Sequence, residues 1–142
     1  MQASEALSWQ RNIWGEIARQ VDNNRMPHAI FLVGSSGLGK QYFAKLLARY
    51  LLCRKRVGII PCDTCKGCDL TRAGNHPDLI VVEPEKTGKS IGIEDVRKLS
   101  DRLNKTAQQG GWKIALINPA DSLTLHASNA LLKTLEEPTR NT

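Results

Sequence analysis

The four cysteines of the chain fall in one short window, Cys53-x8-Cys62-x2-Cys65-x2-Cys68. Thiolates are soft ligands, and two close pairs of them can converge on one tetrahedral ion, so the spacing points to zinc held by Cys53, Cys62, Cys65 and Cys68. A set of four thiolates leaves no coordination position open, which makes such an ion structural rather than catalytic. Four free thiols, or a redox pair at Cys62 and Cys65, are the other readings of the window; a redox pair has no use for the outer two cysteines. Arg54, Lys55, Arg56 and Lys66 lie around the cluster. Solvated charge offsetting a doubly negative metal–thiolate centre accounts for them better than a nucleic-acid patch, because no aromatic side chains interleave with them.

A second constellation is Gly34-Ser35-Ser36-Gly37-Leu38-Gly39-Lys40, which matches the first seven positions of the phosphate-loop pattern G-x-x-x-x-G-K-[ST]. In that pattern the glycines, here Gly34, Gly37 and Gly39, let backbone N–H groups turn inward around phosphate oxygens at a helix N-terminus. Lys40 adds a point charge for the β- and γ-phosphates. Position 41 departs from the pattern: Gln41 stands where a Ser or Thr hydroxyl would hold Mg²⁺. At the end of the last apolar run, where such a site places an Asp for the metal and often a Glu that polarises water, the chain has Asn118 and Pro119. Asp121 follows closely and reads better as a cap on the next helix than as a metal ligand. Backbone donors and Lys40 thus remain for weak binding of ATP, ADP or a bare phosphate, while the groups needed for hydrolysis do not, and no residue is assigned a catalytic role. A glycine-rich strand-to-helix turn without any ligand is the alternative.

These residues need elements to position them. Trp9, Ile13, Ile17 and Val21 recur at four-residue spacing, with Trp14 and Ala18 beside them, and predict an amphipathic helix that ends at Asp22-Asn23-Asn24-Arg25-Met26-Pro27. The run Ala29-Ile30-Phe31-Leu32-Val33 lacks polar alternation and predicts a strand buried on both faces, leading into the glycine loop. Phe43, Leu46, Leu47, Tyr50 and Leu51 give a helix from Lys40 to Leu52. Leu79 to Val82 and Lys113 to Ile117 read as two further buried strands, separated by a polar, exposed loop over 83–90 and a helix carrying Val96, Leu99 and Leu103 on one face. A last helix from Leu125 to Leu135 is stopped by Pro138. Strands alternating with helices predict a mostly parallel α/β sheet.

A chain of 142 residues, 41% apolar and 24% charged, can bury one ordinary core and leaves little for a second. No run approaches the roughly 20 apolar residues of a membrane helix, and the start lacks the layout of a signal peptide. The expectation is a cytoplasmic protein with no membrane role. The net charge of +6 suits work near nucleic acid without requiring it.

Several of these stretches together resemble the bacterial clamp-loader subunits of the AAA+ family. The resemblance is carried by Pro27-His28-Ala29 before the glycine loop, the four-cysteine insert after the following helix, His76-Pro77-Asp78, Ile91-Gly92-Ile93-Glu94-Asp95-Val96-Arg97 and Asn129-Ala130-Leu131-Leu132-Lys133-Thr134-Leu135-Glu136-Glu137-Pro138, in the family's order over nearly the whole chain. It implies a P-loop NTPase-like α/β fold, with a mostly parallel sheet flanked by helices. Residues 1–142 are then an N-terminal AAA+ domain, cut before its sheet is complete, with 53–74 as a zinc insert. Two subunit types share these features, an ATP-hydrolysing gamma/tau motor and a delta-prime type that has lost the catalytic residues. Gln41, Asn118 and Pro119 depart from the motor in the direction of delta-prime. By resemblance such a subunit sits in a ring with delta and gamma/tau subunits and acts as a rigid partner while the sliding clamp is opened and placed on primed DNA. The family's Ser-Arg-Cys arginine-finger motif does not occur in this sequence. Two other readings are an ATPase with an unusual metal arrangement and a zinc-bearing nucleic-acid binder, the latter distinguished by salt-dependent DNA affinity.

Overall fold

The structure, a computed structural model, describes residues 5–142. In chain order it holds a 3-10 turn at Ser8–Gln10, helix α1 (Arg11–Asp22), α2 (Lys40–Leu52), a short α3 (Lys66–Arg72), strand β1 (Leu79–Val82), α4 (Ile93–Leu103), strand β2 (Ile114–Ile117), a 3-10 turn at Ala120–Ser122 and α5 (Leu125–Glu136). These elements form two compact units, the first ending at His76 and the second spanning Pro77–Thr142.

In the first unit α1 buries Trp14, Ile17, Ala18 and Val21. Trp14 meets Phe43 and Tyr50 of α2 edge-on, with ring centroids 5.7 and 5.4 Å apart, an arrangement that suits the aromatic quadrupole. Its indole N–H donates to the Ile59 carbonyl at 2.8 Å. Of the expected apolar set only Trp9 and Ile13 fall outside the buried face, being 63% and 55% exposed. A four-residue step overshoots a helical turn by about 40°, so a row of such steps winds round the helix, whereas 14, 17, 18 and 21 stay on one side.

The strand expected over Ala29-Ile30-Phe31-Leu32-Val33 does not form; these residues have no regular structure, and Phe31 and Val33 are 72% and 79% exposed. An apolar run becomes a strand only when a neighbour completes its backbone ladder. Among the described residues the sheet has two strands and neither pairs with this segment.

In the second unit β1 and β2 pair in parallel, Leu79 opposite Ile114 and Val82 opposite Ile117, with α4 as the crossover between them. Ile80, Val82, Ile91, Leu99 and Leu103 form the core, with Ala115, Ile117, Leu123 and Leu131 packed against it. A 2.9 Å hydrogen bond between the hydroxyls of Ser100 and Thr134 links α4 to α5. β2 begins at Ile114 rather than Lys113, whose N–H is taken by the Asn141 carbonyl at 2.8 Å. Asp121 does not cap α5: it lies in the 3-10 turn, and the Thr124 hydroxyl accepts from the Ala127 N–H at 3.1 Å instead. Thr124 stands one residue before the helix, where a cap must be, and Asp121 is too far upstream. The chain is therefore a mixed helix and strand structure with a small parallel sheet. No helix among the described residues is long and apolar enough to cross a membrane.

Candidate metal centre and phosphate loop

The four cysteines converge. Cys53 directly follows α2, Cys65 directly precedes α3 and Cys68 lies in the first turn of α3. Cys62 is carried back toward them by a tight reversal in which Val57 and Ile60 exchange backbone hydrogen bonds at 3.0 and 3.2 Å. All four sulfurs lie within 4.8 Å of one another, and those of Cys53 and Cys65 are 3.9 Å apart. Tetrahedral zinc with bonds of about 2.3 Å sets its sulfurs about 3.8 Å apart, so the quartet fits the ion with little movement.

The surroundings of the sulfurs also suit thiolates. The Cys62 N–H donates to Cys53 Sγ at 3.3 Å. The amide and hydroxyl of Thr64 together hold the Cys62 thiol down to about 6. At Cys65 burial pushes upward, but the amides of Arg54 and Cys68 outweigh it and the thiol is lowered. Burial raises Cys53 and, more strongly, the fully buried Cys68, to which the Asp63 amide donates in partial compensation. Two thiols shifted down and two shifted up by burial are a mixed set, and a dication is what lets buried thiols share a charged state.

Of the surrounding cations, Arg56 lies 4.9 Å from the Tyr50 ring centroid and 3.9 Å from Asp22. Sequence reasoning missed a second group: buried Arg49 of α2, Asp63 between the paired cysteines, and Arg72 of α3. Asp63 Oδ1 is 3.4 Å from both guanidinium groups. An Asp inside the Cys62–Cys65 loop was visible, but nothing local announced that an arginine from α2 would reach it.

The glycine loop, the candidate phosphate loop, enters α2 through Gly39, whose φ is 76°, and turns at Gly37, with φ 85°. Both conformations are left-handed, which glycine adopts without penalty. The Lys40 ammonium folds onto the loop, donating to the Gly34 carbonyl and to the Ser35 carbonyl at 2.9 Å. Gln10 is a further loop contact absent from the sequence reading. Its buried side-chain amide donates to the carbonyls of Leu38 and Gly39, each at 3.1 Å, and the Trp9 indole donates to the same Leu38 carbonyl at 3.2 Å. Gln41 is exposed at the start of α2. Asn118 and Pro119 follow β2 in the second unit, with the Asn118 N–H donating to the Val82 carbonyl at 3.0 Å.

Asp78, part of the His76-Pro77-Asp78 stretch, is buried and accepts from the backbone N–H groups of Gln108 and Gln109 at 2.7 and 2.8 Å. It pins the loop before β2. Lys113, also buried, donates to the Leu103 carbonyl and to the Thr139 hydroxyl at 2.8 Å.

Comparison with known proteins shows the family. The sequence model described as DNA polymerase III, delta subunit, matches residues 9–142. The DNA polymerase III subunit delta' of Pseudomonas aeruginosa is 40% identical over 139 residues, covering 98% of this chain and 42% of the relative. That of Yersinia pestis is 43% identical over 134 residues, covering 94% and 39%. The DNA polymerase III subunit tau/gamma of Haemophilus influenzae is 37% identical over 129 residues, covering 91% and 18%. The chain spans about two-fifths of the length of the delta' relatives it matches.

Proposed function

The chain belongs to the family described as DNA polymerase III, delta subunit, and from that premise we propose that it acts as the delta-prime-type subunit of the bacterial clamp loader, non-catalytic in itself. One observation carries the choice: Gly34, Gly37, Gly39 and Lys40 are kept, while Gln41, Asn118 and Pro119 replace the hydroxyl and both carboxylates on which turnover depends. In this role the subunit joins gamma/tau and delta partners in the DNA polymerase III holoenzyme. It provides a fixed surface while the sliding clamp is opened and set on primed DNA, contacting clamp and DNA through the complex. Cys53, Cys62, Cys65 and Cys68 hold a structural zinc that ties the 53–74 segment to the end of α2.

Phosphoryl transfer asks the protein for positioning and electrostatics, so the missing groups remove most of what it could supply. If each loss costs on the order of 10² in rate, the combination leaves no measurable turnover. The test is ATP hydrolysis by the purified full-length subunit free of gamma/tau, expected to equal the buffer rate. Lys40→Ala is expected to leave clamp loading by the assembled complex intact. The motor reading has one observation in its favour, the 37% identity to the Haemophilus influenzae tau/gamma subunit. A hydrolysis rate that disappears in Lys40→Ala would establish that reading instead.

A further inference from the structure

Asp63 sits between Cys62 and Cys65 in a left-handed conformation, φ 57°. Its Oδ1 atom and the Nε atom of Arg49 are both buried without a hydrogen-bond partner, yet they face each other at 3.4 Å as an ion pair. Arg72 approaches the same oxygen at 3.4 Å and donates from Nη2 to the Asp63 carbonyl at 3.0 Å. One residue of the cysteine loop is thereby bound to the two helices beside the other cysteines, α2, which Cys53 follows, and α3, which holds Cys68. A buried arginine without full hydrogen bonding is costly unless its charge is compensated, and Asp63 is the carboxylate that the ion pair supplies.

We propose that Asp63 is a positioning residue for the metal centre: its carboxylate, clamped by Arg49 and Arg72, holds the Cys62–Cys65 loop in place so that the four sulfurs are preorganised for the ion. The inference rests on the zinc reading above. The clamp acts through backbone placement, because Asp63 contributes no ligand atom, and groups behind a metal's own ligands commonly change affinity by about 10- to 100-fold when removed. Its weight comes from joining three chain segments around a buried Arg49, where the more exposed Arg72 pair alone would count for little.

The experiment measures zinc affinity of the full-length protein by competition with a chromophoric chelator, together with the absorption spectrum of the cobalt-substituted form. Asp63→Asn and Asp63→Gly both tolerate the left-handed backbone, so they remove the carboxylate without forcing the turn. The expected result is a loss of zinc affinity of about tenfold or more in both, with a weakened tetrahedral cobalt band. Arg49→Met should lose affinity as well, and Arg49→Met combined with Asp63→Asn should bind no worse than Asp63→Asn alone. That double variant also removes the unpaired buried cation and so guards against simple misfolding. If Asp63→Asn and Asp63→Gly bind zinc like the parent while Asp63→Ala alone is weakened, only the backbone conformation matters and the proposal is overturned. A parent protein that takes up no zinc at all would end the metal reading and this inference with it.

Discussion

Cys62 and Cys68 differ in a way that chemistry can read directly. The thiolate is the nucleophile, and the Thr64 donors hold Cys62 near 6 whereas burial keeps Cys68 protonated. In metal-free, reduced protein at pH 7, iodoacetamide should therefore label Cys62 well before Cys68, at a rate that falls as the pH drops through about 6, and zinc should suppress both. Peptide mass spectrometry decides it, and preferential labelling of Cys68 would contradict the geometry. The linkage has a definite sign. The folded value lies below the ordinary thiol value of about 8.5, so the ionised Cys62 contributes fully to the metal-free fold above that pH and its contribution is lost on acidification through about 6. That the four cysteines gather was legible from spacing because they are neighbours in the chain. Gln10, whose partners Leu38 and Gly39 lie far along it, and Arg49, whose partner Asp63 lies beyond the end of its helix, were not. Side chains that act across such separations leave no local signature.

Helix α3 lies so close to the end of α2 that a Cβ on Gly67 would sit 2.4 Å from the Leu52 carbonyl oxygen. That atom is backbone and cannot swing away. Gly67→Ala should accordingly destabilise the first unit by about 1–3 kcal/mol, as overpacking does, and lower zinc affinity with it. Gly15 in α1 makes the contrast, with nothing within 4 Å of an added Cβ; there alanine should stabilise by about 0.5–1 kcal/mol through helix propensity. Urea denaturation of the two variants checks both signs, and an unchanged midpoint for Gly67→Ala would show that α3 can shift freely. Most helices were readable from periodicity, since an apolar face repeats within one element. Which face of α1 is buried was readable only from the 3.6-residue period, because Trp14, Ile17, Ala18 and Val21 hold one side while Trp9 and Ile13 rotate off it.

The division into a unit ending at His76 and a unit of Pro77–Thr142 sets how far a local perturbation travels. The cysteine quartet lies wholly in the first, and the core of Ile80, Val82, Ile91, Leu99 and Leu103 wholly in the second. Chelating the proposed zinc, or substituting Cys65→Ala, should loosen residues from about 53 to 73 while amides of β1, α4 and β2 keep their protection. Hydrogen exchange read by mass spectrometry tests this, and equal loss of protection in both units would show that the metal supports the whole chain. By itself the sequence determined that four cysteines gather after α2, that a glycine loop leads into α2, and where every helix but α3 lies, because each of these is written in residues close together, where side-chain type and spacing suffice. Tertiary structure alone decided that Ala29-Ile30-Phe31-Leu32-Val33 does not pair, that Thr124 rather than Asp121 caps α5, and that Arg49 and Arg72 meet on Asp63. The physical reason is common to all three: a strand needs a neighbour, a cap needs a helix start and a buried charge needs its counter-charge, and where those partners lie is set by packing.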